Sequence, residues 1–290
     1  MDQPLSQQER IKKVVSHIIG LPTLPVMLAN INRLMMNPRT SAKEVAQLIS
    51  SDPTITSKIL RVVNSSFYGF PSRITTITHA IVILGFNTIK SIILSSSIFD
   101  AFKGGTNEQR FNREEFWKHS IACGTAAKVV AKHAGLSALE EFFIAGLLHD
   151  VGKIIIDQHF HNEFMRILDI VDQKDCLMYK AEEEVLGVTH AELGAWLFEK
   201  WNLSKNFVES TSKHHNPVLA TENPKYTAVI HLADIVVRSI QIGYPGDHKI
   251  PVINENAWKH LNFTPDMFPK LLSETDVEVE KALIFMDFAK

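Results

Sequence analysis

The run Gly146-Leu147-Leu148-His149-Asp150-Val151-Gly152-Lys153 constrains this chain most, because it sets an imidazole beside a carboxylate inside otherwise apolar sequence. A carboxylate taken into a low-dielectric interior has to be paired, hydrogen-bonded or bound to a cation, and the neighbouring histidine makes a metal ion the natural candidate. The fold must therefore bury Leu147, Leu148, Val151, Ile154, Ile155 and Ile156 while keeping His149 and Asp150 supplied with partners.

Elsewhere the apolar residues recur at i, i+3, i+4 and i+7, and strand-like alternation is scarce, so the expected fold is all-α. With 290 residues, 45% hydrophobic and 21% charged, the chain can bury a sizeable core and lacks the composition of a disordered one. Helices are expected at about 26–36, 41–50, 53–64, 77–84, 88–102, 113–134, 139–157, 163–174, 180–186, 190–201, 205–214 and 225–242. Ser41 with Glu44 and Thr189 with Glu192 have capping-box spacing, and Asn112 can cap the helix after it. Lys103-Gly104-Gly105-Thr106-Asn107 marks a boundary. It separates an N-terminal helical subdomain at 1–105 from a multi-helix bundle at 106–290, on which that subdomain is expected to pack and which ends in further helices.

A formal net charge of −2 gives no global drive toward nucleic acid or an anionic membrane. The N-terminus lacks the charged-then-apolar build of a signal peptide. The apolar stretch 81–99 is interrupted by Asn87, Lys90 and serines, which reads as a pair of core helices rather than a membrane span. Cys123 and Cys176 are too few for a disulfide framework, so a reducing cytoplasm is the expected location.

Polar residues on other apolar faces supply company for the His-Asp pair. His119 lies between Phe116 and Cys123 at helical spacing, on a segment with Ala122, Gly124, Ala126 and Ala127 that allows close helix packing. Asp234 shares an apolar stripe with Ile230, Ala233 and Val237. His119, His149, Asp150 and Asp234 form a donor set suited to a divalent transition metal, with Fe or Mn favoured over Zn. His190, His214 and His215 can complete a second metal position bridged by Asp150. Asp150 and Lys153, three apart on a helix, are the candidate catalytic residues, Lys153 neutralising charge at a phosphate. His231 reads as a support for Asp234 or as a core histidine, His159 and His161 as solvated surface residues, and Gly243-Tyr244-Pro245 as a chance turn. Residues 41–64, with Lys58 and Arg61, have a helix-turn-helix outline that reads as a packed hairpin.

The order His119, His149-Asp150 with Lys153, His190, His214-His215 and Asp234 resembles the ligand series of HD-type metal-dependent phosphohydrolases. In the first half, Leu21-Pro22-Thr23-Leu24-Pro25, Asp52-Pro53, Leu60-Arg61 with Asn64-Ser65, and Ala80 with Leu84-Gly85 are similar to the HDOD family, the HD-related output domains of bacteria. That resemblance spans about residues 15–240. It implies an HD-like helical bundle and a role in bacterial signal transduction, in a family where many members have lost metal ligands. This chain keeps its histidines. It differs from the HD-GYP cyclic-dinucleotide phosphodiesterases in having Asn216 after the histidine pair and no glycine-rich loop soon after it.

Three functions stay open: a signalling module that binds protein partners and keeps a metal site, a metal-dependent phosphohydrolase acting on a nucleotide or phosphoester, and a DNA-binding regulator. The first is the main expectation and the last the weakest, with no membrane partner.

Overall fold

The computed structural model describes residues 26–35, 37, 39–102 and 110–288. The Leu21–Pro25 motif and the expected boundary at 103–107 lie outside the described residues. All regular elements among the described residues are helical, as the sequence periodicity predicts. The residues within Gly104–Asp276 form one compact unit, and those within Pro22–Lys103 and Val277–Lys290 form another.

The unit built from 22–103 and 277–290 begins with α1 (Val26–Met35), α2 (Ala42–Ser50), α3 (Pro53–Val63) and α4 (Ile77–Ala101). The Ser41–Glu44 capping box starts α2, and Asp52 caps α3 by accepting from Thr54 and Ile55 backbone N–H groups while Pro53 fills the first helical position. The Asn64 side chain clamps the following loop: it donates to the Ile74 carbonyl and accepts from the Ile74 N–H, each at 2.7 Å. The two expected helices at 77–84 and 88–102 run together as α4, but Gly85 breaks the helical backbone with φ 80° and ψ 164°, a conformation open to glycine. By length and composition α4 is apolar enough to cross a membrane, yet Ile89, Ile92, Ile93, Ile98 and Phe99 are buried in the protein. Lys58 pairs with Asp100 at 3.0 Å and Arg61 with Asp287 at 2.8 Å, so the basic residues of the helix-turn-helix outline are engaged in ion pairs within this unit.

The other unit holds α5 (Arg113–His133), α6 (Leu139–Leu148), α7 (Val151–His159), α8 (His161–Lys174), α9 (Met178–Leu186), α10 (His190–Lys200), α11 (Lys205–Lys213), α12 (Pro224–Ser239) and α13 (Glu255–Leu261). The chain closes with α14 (Phe268–Ala282) and a short 3-10 segment, Leu283–Phe288. The small residues of α5 do bring α6 close. A Cβ on Gly124 would collide with the Phe143 carbonyl, and one on Gly146 with the Cys123 carbonyl.

The expectation of one helix over 139–157 is corrected. Asp150 leaves helical geometry at φ −101° and ψ 5°, and the segment divides into α6 and α7 at His149-Asp150. The break turns both side chains inward, where an uninterrupted helix would stagger them around its axis. His159 ends α7 and His161 begins α8. Both are half-buried rather than solvated, and the His161 Nδ1 lies 3.1 Å from Asp157 Oδ1.

Candidate metal centre

The seven sequence-predicted donors come together inside the 104–276 unit. α5 carries His119, the α6–α7 junction carries His149 and Asp150, α10 begins at His190, α11 ends at His214-His215, and α12 carries Asp234. The Thr189–Glu192 capping box fixes the first turn of α10 and with it the position of His190. A Cβ on Gly152 would strike the His190 carbonyl, so glycine is what lets α7 approach α10.

Asp150 is the hub. Its Oδ2 lies 3.5 Å from His149 Nε2 and 3.9 Å from His119 Nε2, while its Oδ1 lies 3.0 Å from His190 Nε2 and 3.7 Å from His214 Nε2. Asp234 Oδ1 closes the first group at 3.2 Å from His119 Nε2 and 3.8 Å from His149 Nε2. His215 Nε2 closes the second at 3.0 Å from His190 Nε2. Donors that share one ion at 2.0–2.3 Å stand about 3–4 Å apart. Two donor groups result: His119, Cys123, His149 and Asp234, and Asp150, His190, His214 and His215, with all donor atoms of each within 4.8 Å of one another.

Two internal cations share the carboxylates. Lys153, fully buried, donates to Asp150 Oδ2 at 2.6 Å. Arg238 donates through Nε to both oxygens of Asp234, at 2.9 and 3.1 Å, and through Nη1 to Asp247 Oδ1 at 2.8 Å. Burial opposes the charge on Asp150, yet His149, Lys153 and His190 outweigh it and hold the carboxyl well below its usual range. Burial likewise opposes Asp234, and Arg238 together with His119 holds it low. The carboxylates are thus ionised and ready to ligate.

The imidazoles are tuned individually. Burial pushes His119 down despite Asp234, and it pushes His214 and His215 well below their ordinary value with help from the neighbouring histidines. His190 moves the other way: burial disfavours its charge, but Glu182 and Asp150 raise it above the ordinary value. Most of these rings are therefore neutral and available as ligands. The Nε2 atoms of His149 and His214 are buried without a hydrogen-bond partner, whereas buried polar atoms are nearly always satisfied. Orphan donor atoms that face each other across a few ångströms fit a metal ion.

Sequence reasoning missed Glu182, Arg238 and the place of Cys123. Glu182, fully buried on α9, accepts from His190 Nδ1 at 2.7 Å and from the His190 backbone N–H at 2.7 Å. Nothing in the sequence pairs a residue on α9 with the start of α10. Arg238 follows Asp234 by four and Cys123 follows His119 by four, so helical spacing carried both signals. Cys123 Sγ lies 3.4 Å from His119 Nε2, and burial holds its thiol well above the usual value. Both ring nitrogens of His231 are engaged away from Asp234: Nδ1 lies 2.7 Å from the His214 carbonyl, and Nε2 accepts from the Asn254 N–H at 3.1 Å. The Gly243-Tyr244-Pro245 turn packs on α5: Gly243 rests on the backbone of His119 and the Tyr244 N–H donates to the Glu115 carbonyl at 3.0 Å.

Comparison with known proteins places this architecture. Residues 21–217 match the HDOD domain family. An uncharacterized protein of Treponema pallidum (strain Nichols) is 26% identical over 227 residues, covering 78% of this chain; the chain spans 44% of that relative's length. The crystal structure of an HDOD domain protein from Geobacter sulfurreducens superposes with a TM-score of 0.79 at 24% identity, covering 96% of both chains. A Shewanella amazonensis protein provisionally named a phosphohydrolase gives 0.75 at 21% identity, covering 96% of this chain and 97% of its own. A Marinobacter aquaeolei protein provisionally named for signal transduction gives 0.76 at 18% identity, covering 98% of this chain and 65% of its own. At these identities the superpositions show a shared helical fold. The chain belongs to the HDOD domain family.

Proposed function

We propose that this chain is a bacterial signal-transduction module that works through protein partners in the cytoplasm, with its histidine and aspartate cluster holding one or two divalent transition-metal ions as an interior staple. Imidazole and carboxylate donors suit Fe, Mn or Zn, and of these the reading takes Fe or Mn ahead of Zn. The observation that carries the reading is closure: His119, His149, Asp150, Lys153 and His190 are each 0% exposed, and both carboxylates already hold an internal cation. A catalytic metal site keeps an open coordination position for water and substrate. The signal-transduction name of the Marinobacter structure supports the same reading.

A metal-dependent phosphohydrolase is the second reading, favoured by one observation: the two oxygens of Asp150 face two separate sets of histidines. Divalent ions held there would act as Lewis acids toward a phosphoryl oxygen. In that case Asp150 positions both donor groups and Lys153 neutralises charge on the phosphoester or nucleotide. The Shewanella structure bears a phosphohydrolase name.

Elemental analysis of protein purified without chelator or affinity-tag metal tests the metal. Turnover of a phosphodiester panel with Mn or Fe supplied, compared between wild type and His149→Ala, separates the two readings. We expect retained metal, at most slow hydrolysis, and no efficient cleavage of cyclic di-GMP. Turnover of about 1 per second or faster, within the usual enzyme range and abolished by the substitution, would establish the phosphohydrolase instead.

A further inference from the structure

The unit built from 22–103 and 277–290 has a cleft of its own, of about 870 Å³, along α3. Helical spacing makes one wall: Ser57 and Arg61 are four apart, as are Leu60 and Asn64, so they share a face of α3. The loop after α3 makes the other. Ser65 accepts from the Tyr68 and Gly69 N–H groups through its carbonyl, Gly69 turns the chain at φ 63°, and the Asn64 side chain grips both backbone polar groups of Ile74. Held at both ends, the loop brings Phe70, Arg73 and Thr75 into the same cleft. The volume lies within the range of small-molecule sites, roughly 300–1,000 Å³.

Among the described residues no carboxylate lines this cleft, and its charged residues are both arginines. Arg73 is exposed and has no ion pair among the described residues. Arg61 pairs with Asp287 through Nη2 at 2.8 Å, yet its side chain is 64% exposed and its other nitrogens have no protein partner among the described residues. An exposed pair of this kind contributes little to stability, so it steadies the guanidinium without consuming it. Ser57 and Thr75 add hydroxyl donors. Phe70 is half-buried with its ring within 6° of parallel to Tyr68, which sets a flat apolar surface beside the cations.

We propose that this cleft binds a nucleotide, its phosphate taken by Arg73 with Arg61 and its base laid against Phe70. The uncompensated charge of Arg73 selects an anion. Guanidinium forks match phosphoryl oxygens, and donors on four residues suit the three oxygens of a phosphate monoester better than the two of a carboxylate. The Phe70 ring favours a flat partner, since every base presents a π-face for stacking. Duplex DNA fits less well, because Lys58 on the same helix is tied to Asp100 at 3.0 Å and two arginines are few for the phosphate contacts that hold a duplex. The proposal is independent of the metal reading, and it gives the signalling module a small-molecule input.

Calorimetric titration of the full chain with AMP, GMP, adenosine, benzoate and inorganic phosphate tests this, in chelator so that the histidine cluster holds no ion. AMP or GMP should bind about ten-fold or more tightly than the other three probes, since only the nucleotides engage the arginines and the ring together. Arg73→Ala, at an exposed position, should weaken nucleotide binding about ten-fold or more while the melting temperature stays near wild type. Phe70→Leu should weaken it as well. Lys43→Ala, which removes an exposed cation of α2 outside the cleft, should leave it unchanged. Absence of binding by both nucleotides, benzoate or inorganic phosphate binding as tightly as they do, indifference to Arg73→Ala, or an equal loss in Lys43→Ala overturns the proposal. So does retention of duplex DNA that Arg73→Ala abolishes in a protein that ignores both nucleotides.

Discussion

Glu182 Oε2 lies 2.7 Å from His190 Nδ1, and neither residue is exposed to solvent. A buried carboxylate behind an imidazole makes the ring a stronger ligand and fixes which nitrogen faces Asp150. Glu182→Gln should therefore lower metal affinity by about 10–100-fold, the usual cost of losing such a support. Competition with a chelator of known affinity measures the change, and a melting temperature near wild type in the chelated protein shows the fold intact. Unchanged affinity would place His190 outside the metal-binding set.

Asp150→Ala should cost stability even without metal, because it leaves the Lys153 ammonium buried and unpaired. Removing one partner of a buried ion pair costs about 3–5 kcal/mol. Adding Lys153→Met to Asp150→Ala should recover much of that loss, while neither variant is stabilised by Mn. In wild type, Mn at a hundred times its Kd should add about 2.7 kcal/mol by mass action. Denaturant melts of the three proteins, with and without Mn, give all of these differences; an Asp150→Ala protein still stabilised by Mn would contradict the central place given to this carboxylate.

Gly152→Ala should destabilise the protein by about 1–3 kcal/mol, the cost of forcing one methyl into a packed interior, since its Cβ would strike the His190 carbonyl. The displacement of α7 from α10 should also weaken metal retention. Thermal melts and metal content check both, and Gly135→Ala, at a helix end where a Cβ would meet nothing but the backbone is left-handed, serves as a comparison that should spare the metal.

Stability of chelated protein should fall as pH drops below about 6.5, the ordinary histidine value. Burial, together with the neighbouring rings, keeps His214 and His215 neutral in the folded state well below that pH, whereas the unfolded chain takes up both protons. The unfolded state then binds more protons, so the stability fully present above about pH 6.5 is lost as pH falls, at up to about 1.4 kcal/mol per group per pH unit. His190 is raised and acts in the opposite sense, its contribution present below about 6.5 and lost as pH rises through its folded value, but the lowered set also includes His119. Melting temperatures from pH 8 to 5.5 in chelator check this. A flat profile, or one that His215→Asn leaves equally steep, would rule it out.

The sequence by itself determined the helical class, most helix ends and the residues of the cluster, because these depend on local spacing. Apolar periodicity of about 3.6 residues, caps such as Ser41, Asp52, Asn112 and Thr189, and ionisable residues on apolar faces all act within a few residues of one another. Tertiary structure alone decided how the donors divide about the two oxygens of Asp150, that α6 and α7 part at His149-Asp150, and that Glu182 stands behind His190. It also decided that Asp234, an apparent seeker of metal, already shares its charge with Arg238 and through it with Asp247. Those relationships join separate helices across gaps of a few ångströms, and they are set by backbone approaches such as Gly152 on His190 and Gly243 on His119. Periodicity can show that a side chain points inward; only the packed chain fixes which other side chain it meets there.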